Sequence, residues 1–271
     1  MRNLIFLALL WGCTQQNTDR QQAASPASLF QKGQWVDLTY AFSDSTLYWP
    51  NNKINFHLDT LAHGETPGGF FYSSYQFCAP EHGGTHLDAP IHFADHRWTS
   101  DQIPVDRFSG DAIVVDVSEK ALQNRDYLAG VTDFTEWEAK HGPIAEGAIV
   151  LLRTGYGKFY PDALRYFGTD ERGAGAIPKL HFPGLDPAAA QWLVDNRKIK
   201  GIGLDTPSID FGQSTDFKSH QVLLGANILV FENVAHLDKL PETGSFVLAL
   251  PMKIQGGSGG PLRIVAWVGT K

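Results

Sequence analysis

The sequence has little cysteine and methionine and no excess of basic residues. Two cysteines among 271 residues are too few for a disulfide-stapled scaffold. The formal net charge is −7, so the chain lacks the basic surface that nucleic acids require, and we expect no nucleic-acid partner. The apolar run from Leu4 to Trp11 is shorter than the ~20 residues that cross a bilayer.

The rest of the composition is typical of a folded globular protein. Hydrophobic residues make up 43% of the chain and aromatic residues 12%, which predicts a globular protein with a sizeable core. The length allows one large α/β domain or two small ones. From residue 35 to residue 271 there is no further linker and no internal repeat, so we predict one domain there.

The N-terminus has the pattern of a targeting segment. Arg2, the apolar run and Gly12-Cys13 predict a signal peptide over residues 1–13, whose end resembles a bacterial lipobox with Cys13 as the lipidated residue. An ordinary secretory signal is the alternative. Residues 14–34 begin polar and Gln-rich, which predicts a tether. We therefore expect export to the periplasmic side, with a lipid anchor in the outer membrane as the only membrane contact.

If Cys13 is acylated, Cys78 has no partner for a disulfide. Its apolar neighbours favour a small buried thiol, and a metal ligand is the alternative because a histidine cluster follows.

Short apolar runs predict the strands, and near-continuous ones indicate a sheet covered on both faces. The clearest helix spans residues 186–198, with Asp186 as its cap, and a second spans residues 132–140, with Thr132 as a candidate cap. A strand-helix-strand order from 148 to 206 predicts an α/β fold with a mixed β-sheet and few flanking helices. The predicted strands are residues 112–118, 148–155, 199–206, 227–234, 245–254 and 261–269.

The segment "EHGGTHLDAPIHF", residues 81–93, holds three of the ten histidines. His82, His86, Asp88 and His92 are spaced by even numbers, so in an extended chain they would share one face. Imidazole and carboxylate groups are ligands that suit zinc, manganese or iron. We therefore predict a metal site here, in preference to a polar loop with incidental histidines.

The same segment resembles the H-x-G-T-H-x-D-x-P-x-H-F motif of the metal-dependent cyclase-like hydrolases. That family includes bacterial kynurenine formamidases and isatin hydrolases. The resemblance covers residues 35–271 and implies one domain of swivelling β/β/α type. Further similar segments are "VDLTYAFSDSTLYWP", "VLLRTGY", "FPGLDPAAAQWL", "GIGLDTPSIDFG", "SHQVLLGANILVFENV" and "LPMKIQGGSGGPLRIVAW".

The resemblance implies one or two divalent ions, zinc or manganese. It places His82, His86 and Asp88 on the first ion and His220 on the second, with Asp88 and Glu232 as bridges. Glu232 follows the apolar run "ILVF", where an unpaired carboxylate would be costly. A surface histidine is the alternative for His220.

The motif implies that His92 is the catalytic acid/base, since a histidine can give a proton to a leaving group and take one from water. A fourth metal ligand is the alternative. Trp49 matches an aromatic residue that lines the substrate pocket in such formamidases, and Tyr48 would lie on the same wall. A core tryptophan is the alternative for Trp49. The other histidines are expected to be surface or supporting groups, although His96 is near enough to contact a substrate.

The implied reaction is hydrolysis of a non-peptide C–N bond, in an aryl formamide or a cyclic amide, by a metal-activated water. The alternatives are a lactonase or esterase, a cyclase of the same family, and a non-catalytic metal- or solute-binding lipoprotein.

Many relatives carry serine where this chain has Pro80, which alters the expected pocket rim. The glycine-rich "QGGSGGP" lacks a Walker lysine and is not a nucleophile elbow at Ser258, so it is expected to be a loop near the site or a tight connection. A small-molecule substrate and a homodimer or homotetramer are expected by resemblance.

Overall fold

The computed structural model describes residue 30 and residues 32–269. The predicted signal peptide, Cys13 and residues 14–29 of the predicted tether lie outside this part and stay predictions. Within it, no helix is both long and apolar enough to cross a bilayer.

The core of the fold is an eight-stranded mixed sheet in the order β1-β12-β11-β5-β7-β9-β10-β4. Its strands are β1 (Gly33–Asp37), β4 (His86–Asp88), β5 (Ser109–Asp116), β7 (Ile149–Arg153), β9 (Gly201–Leu204), β10 (Leu229–Glu232), β11 (Ser245–Pro251) and β12 (Gly259–Gly269). The central strands β5, β7, β9 and β10 are parallel, and β4 pairs antiparallel with β10. Because β4 also pairs with the start of β12, the sheet closes on itself at the histidine segment.

Alternate side chains of the parallel strands enter two different cores, as the near-continuous apolar runs predicted. On β7, Ile149 and Leu151 point into the core enclosed by the sheet, together with Phe231 and Ile264. Val150 and the residues two positions before and after it pack on the other face, beneath the helices. The mixed α/β fold with few flanking helices is confirmed.

Among the described residues, five short α-helices and two small sheets complete the fold. The helices are α1 (Ser118–Gln123), α2 (Val131–His141), α3 (Ala163–Phe167), α4 (Pro187–Arg197) and α5 (Lys218–Gly225). The small sheets pair β6 (Leu128–Ala129) with β8 (Gly184–Leu185), and β2 (His57–Glu65) with β3 (Phe71–Cys78). Single 3-10 turns connect several of these elements, and one of them, Pro90–His92, directly follows β4.

The helix caps agree with the sequence in one case and differ in the other. Asp186 caps α4, since its carboxylate accepts a hydrogen bond from the Ala188 N–H at 2.7 Å. The prediction that Thr132 caps the second helix is wrong. That helix, α2, begins one residue earlier at Val131, and Asp133 reaches back to accept from the Gly130 N–H at 2.8 Å. A third-position carboxylate therefore satisfies the backbone N–H of the residue that precedes the helix.

Two other expectations are corrected. The tether was expected to extend to residue 34, but β1 begins at Gly33, because Gly33 and Gln34 pair with Gly269 and Val268 of β12. Cys78 was expected to be a buried thiol, but it is exposed, since it ends a hairpin that pairs only with itself.

Glu138 joins the outer helices through a paired ion bridge. Its carboxylate on α2 accepts hydrogen bonds from Arg197 Nε at 2.5 Å and Nη2 at 2.7 Å, at the end of α4. These bonds to Arg197 lower the pKa of Glu138, against the opposing effect of burial. The stabilisation is therefore present above the unfolded-state pKa of glutamate, about 4.3, and is lost as the pH falls through the lower folded-state value.

We expect Glu138→Gln to lower the free energy of unfolding by about 1 kcal/mol at pH 7, the upper end for a surface ion pair. Urea denaturation at pH 7 and at acidic pH measures this, and the difference between wild type and variant should shrink in acid. The control is Glu146→Gln, whose contact with Lys198 is exposed and 3.6 Å long. An equal loss in both variants at pH 7 would contradict the assignment.

Candidate metal centre

Pairing of β4 with β10 brings the side chains of His86, Asp88 and Glu232 together. In the β4–β10 ladder, Glu232 lies directly opposite His86, and Asp88 follows two residues later on the same face. His86 Nε2 lies 3.3 Å from Asp88 Oδ1 and 3.4 Å from Glu232 Oε2. All three side chains are buried. Unpaired charges would be costly at this depth, so the group requires a shared cation or shared protons.

His82 and His92 join this group from outside the strand. The expectation that all four residues share one extended face is wrong, because only His86 and Asp88 lie in β4. His82 precedes a bend at Gly84, whose φ is +56°, and His92 lies in the 3-10 turn after Pro90. Their rings nevertheless stack, with centroids 3.8 Å apart. His82 Nδ1 lies 2.6 Å from Asp88 Oδ1.

The second half of the predicted set comes from α5. His220 is buried on its first turn, with Nε2 3.2 Å from Asp88 Oδ2 and 3.1 Å from Glu232 Oε1. The structure therefore brings together all five residues that the resemblance implied as ligands. They form two overlapping groups, His82–His86–Asp88 and Asp88–His220–Glu232, with the potential ligand atoms of each within 4.8 Å of one another. Asp88 belongs to both groups.

The electrostatics of the cluster favour a bound cation. Although burial opposes the charged form, hydrogen bonds from His220, His82 and His86 lower the pKa of Asp88 well below its usual range. Burial and the nearby Asp88 raise the pKa of Glu232. Two carboxylates and three imidazoles thus share a largely buried site. Nitrogen and oxygen donors in this ratio fit a zinc or manganese ion.

Asp210 is a functional candidate that the sequence reasoning missed. This buried residue lies in the loop after β9, and its Oδ2 is 2.6 Å from His220 Nδ1. Its carboxylate also accepts from the backbone N–H groups of Ser219 and His220 at the start of α5. With Nδ1 bound to Asp210, the His220 Nε2 lone pair faces the cluster. The available signal was its place in "GIGLDTPSIDFG", but nothing there indicated which histidine it would meet.

Asp210→Asn should weaken divalent metal binding by about 10- to 100-fold, as loss of such a supporting carboxylate usually does. The amide would present N–H donors where His220 and the helix start need an acceptor. Competition with a chelating dye would measure the dissociation constants. Asp216→Asn, an exposed change nearby, is the control and should leave affinity unchanged. Equal affinity of Asp210→Asn and wild type would contradict the role.

His92 lies beside the cluster in a different electrostatic setting. Burial lowers the pKa of His92 to about 3, and the imidazoles of His82, His220 and His86 act in the same direction against the attraction of Asp88. The ring is therefore neutral at neutral pH, and one of its nitrogens has a free lone pair. His92 belongs to neither of the two ligand groups among the described residues. This arrangement favours the predicted acid/base role, which stays a prediction, over a fourth ligand.

The cluster forms the floor of a cavity of about 260 Å³ with aromatic walls. Tyr48 and Trp49 both line it, together with Phe93, Phe167 and Phe217, and their contact with a substrate stays a prediction. The Trp49 ring meets Phe217 at a centroid distance of 6.4 Å. Tyr48 is 1% exposed, and its hydroxyl has no hydrogen-bond partner among the described atoms.

Cys78 and His96 are not part of this site. Neither residue lies among those that line the cavity or in the ligand groups. The His96 side chain is 92% exposed and pairs with its neighbour Asp95. The possibilities that Cys78 is a ligand and that His96 contacts a substrate therefore have no support in the described structure.

Comparison with known proteins decides the family. The Cyclase family model matches residues 36–211, more than half of the chain. The chain belongs to the cyclase family. It is 32% identical over 224 residues to an isatin hydrolase of Roseibium aggregatum, which covers 80% of this chain and 81% of that protein. It is 30% identical to a kynurenine formamidase of Salinibacter ruber, with 85% of this chain and 95% of that protein covered.

A solved structure agrees with these relatives. Isatin hydrolase A from Ralstonia solanacearum superimposes with a TM-score of 0.77 at 33% identity, covering 87% of this chain and 92% of that chain. The fold predicted by resemblance is therefore the fold of this family. With its buried histidine–carboxylate cluster, this cyclase-family protein is a metal-dependent amidohydrolase.

Proposed function

We propose that this cyclase-family hydrolase opens the C–N bond of a small aromatic amide, either a cyclic amide such as isatin or an aryl formamide such as N-formylkynurenine. The observation that carries the proposal is the position of the ligand cluster at the floor of an aromatic-walled cavity, with the neutral His92 beside it. A flat ring in the cavity would be held by aromatic contacts with its walls, which include Trp49 and Phe217. The names of the two relatives above support both substrate types.

The chain's own residues account for the steps around the reacting carbonyl. A divalent ion in the cluster would supply Lewis acidity, which lowers the pKa of water and polarises a carbonyl. His92 takes the proton from the attacking water and returns it to the departing nitrogen. Phe93 packs against the His220 ring at 4.4 Å and excludes water from that side of the cluster. The aromatic walls of the cavity orient the substrate ring so that its carbonyl group points towards the ligand cluster at the cavity floor.

We further propose that the cluster would hold two ions, zinc or manganese, through His82, His86, Asp88, His220 and Glu232. Asp88 directs Oδ1 to the His82–His86 side and Oδ2 to His220. Glu232 directs Oε2 to His86 and Oε1 to His220. Each carboxylate thus has one oxygen near His86 and the other near His220, so both could serve as ligands to either ion. Glu232 Oε1 also accepts from the Ile209 N–H at 2.8 Å, which fixes its orientation.

The substrate test compares three compound classes with one enzyme preparation. The protein lacking residues 1–13 and loaded with manganese or zinc would be incubated with isatin, N-formylkynurenine and an aryl lactone, and turnover followed by absorbance. Turnover of either amide well above the lactone supports the proposal. Turnover of the lactone alone would overturn it in favour of a lactonase. Absence of all turnover with metal bound would favour a binding protein.

The β2–β3 hairpin supports the proposal that the protein is a homo-oligomer. This hairpin forms its own two-stranded sheet, which is marginally stable when isolated in water. Its exposed apolar residues are Leu58, Leu61, Phe71, Tyr72, Tyr75 and Phe77. An apolar arm of this kind marks an interaction surface, and a second copy of the chain is the proposed partner.

Light scattering after size-exclusion chromatography would test this assembly. The double variant Phe71→Ser/Phe77→Ser should shift the molar mass towards that of one chain. Leu164→Ser, an exposed change on α3, is the control and should leave the mass unchanged. A wild-type mass equal to one chain would contradict the proposal.

A further inference from the structure

The glycine-rich segment Gly256–Gly260 packs directly against the first metal-binding histidine. Gly259 opens β12 and pairs with Asp88 of β4, which brings its backbone beside the His82 ring. A Cβ atom on Gly259 would lie 2.6 Å from His82 Cε1, and one on Gly257 would lie 2.7 Å from a carboxylate oxygen of Glu81. Both distances are shorter than van der Waals contact, so the close approach requires glycine on each side of Ser258.

Ser258 is the one residue with a functional side chain in this segment, and it joins Glu81 to His82. Its Oγ lies 2.6 Å from Glu81 Oε2 and 2.9 Å from His82 Nε2. Its backbone N–H also donates to Glu81 Oε2 at 3.0 Å, and its carbonyl accepts from the Ala89 N–H at 2.9 Å. Four contacts thus fix the hydroxyl between the carboxylate and the imidazole.

The capacity of each group to donate or accept a hydrogen bond determines which atoms carry the protons. The Ser258 hydroxyl donates its single proton to Glu81 Oε2 at 2.6 Å. The same oxygen must then accept from His82, which places a proton on Nε2. In the neutral ring, Nδ1 is then unprotonated. Without an ion, Nδ1 can donate its own proton to Asp88 Oδ1 at 2.6 Å, and release of that proton leaves the Nδ1 lone pair free to bind a cation.

We propose that Glu81 and Ser258 are positioning residues that hold His82 in the Nε2–H tautomer and present Nδ1 to the metal ion. The inference rests on the proposed metal site and extends it to residues that bind neither ion nor substrate. The glycines let the serine approach, the carboxylate orients the serine proton, and the serine orients the imidazole. Because His92 stacks on His82, the same contacts also fix the surface on which the acid/base ring rests.

Two measurements on the full folded chain test the proposal, and neither uses a substrate. The first is the dissociation constant for zinc, by chelator competition, in wild type, Ser258→Ala, Glu81→Ala and the double variant. Ser258→Ala should weaken binding by about 10- to 100-fold, the usual effect of losing such a partner. Glu81→Ala should also weaken binding, because the freed serine proton can turn to Nε2 and favour the wrong tautomer. The double variant should lose no more than Ser258→Ala alone, because Glu81 acts only through Ser258.

The second measurement is the ¹⁵N chemical shift of the His82 ring in the zinc-loaded wild type, assigned by its loss in His82→Gln. A protonated, hydrogen-bonded Nε2 with Nδ1 shifted by the metal supports the proposal, and it requires no variant of the positioning pair. Ser258→Thr keeps the hydroxyl that Ser258→Ala removes, so its zinc affinity should be near that of wild type. Gln255→Ala, an exposed change next to the segment, should also leave the affinity unaltered. A proton on Nδ1, or Ser258→Ala binding within about twofold of wild type, would overturn it. A wild type that binds no zinc would instead refute the proposed metal site.

Discussion

Asp88→Asn abolishes metal binding and lowers turnover by at least about 10³-fold, because Asp88 is the one residue shared by both ligand groups. The change keeps the side-chain shape but removes the charge that balances His82, His86 and His220. An amide also presents N–H donors to histidine nitrogens that would need their lone pairs for the ion. Elemental analysis of the purified variant, beside a turnover assay, measures both effects.

The control for this variant is Asp95→Asn, an exposed carboxylate only seven residues away whose side chain is 83% exposed. It should retain wild-type metal content and turnover. Thermal melting of both proteins without metal separates loss of binding from loss of fold. A folded Asp88→Asn protein with full metal content would show that the ligand groups have been misassigned.

His92→Gln lowers turnover by about 10²- to 10⁴-fold while metal content stays near that of wild type, since this is the usual contribution of a general acid/base. The neutral imidazole is the group beside the cluster that can accept a proton without being in either ligand group. Glutamine can form hydrogen bonds in that space but cannot carry a proton from water to a leaving nitrogen. Steady-state kinetics with the better substrate, together with elemental analysis, measure the two quantities.

His96→Ala is the matched control, because His96 is close in sequence but exposed to solvent. It should leave both turnover and metal content unchanged. If His92→Gln lost its metal in proportion to its activity, His92 would be a ligand, which is the alternative that the spacing of the motif left open. Unchanged turnover with metal retained would remove His92 from the reaction altogether.

The histidine cluster could be predicted because its signal is local. His82, His86, Asp88 and His92 lie within eleven residues, and their residue types alone indicate metal chemistry. Their geometry could not be predicted from even spacing, because a bend at Gly84 and the turn at Pro90 bring the outer two histidines inward. The distant His220 and Glu232 came only from the family resemblance.

The supporting residues have no local signal. Asp210 meets His220 only because the loop after β9 ends beneath the start of α5, and Ser258 meets His82 only because β12 closes the sheet onto β4. Such contacts depend on which strands pair, and apolar periodicity does not specify pairing partners. An acidic residue in a loop and a serine among glycines therefore look like ordinary loop chemistry in the sequence.

The fold, like the site, has parts that could be predicted from the sequence and parts that could not. The buried parallel strands were predictable, because side chains on both of their faces enter a core and produce continuous apolar runs. The β2–β3 hairpin was not predicted, because most of its side chains are exposed and its two strands show no regular apolar–polar alternation. Cys78 was misjudged for that reason, since its apolar neighbours lie on the hairpin and not in a core.

The most direct measurement is the recovery of activity during metal titration of the stripped protein. The protein would be freed of metal with a chelator, then titrated with manganese while bound metal and turnover of isatin or N-formylkynurenine are followed together. We predict no turnover without metal and recovery that saturates as the shared cluster fills with one or two ions per chain. Full turnover by the stripped protein, or saturation of bound metal without any turnover of either amide, would contradict the assignment of this cluster as the hydrolytic centre.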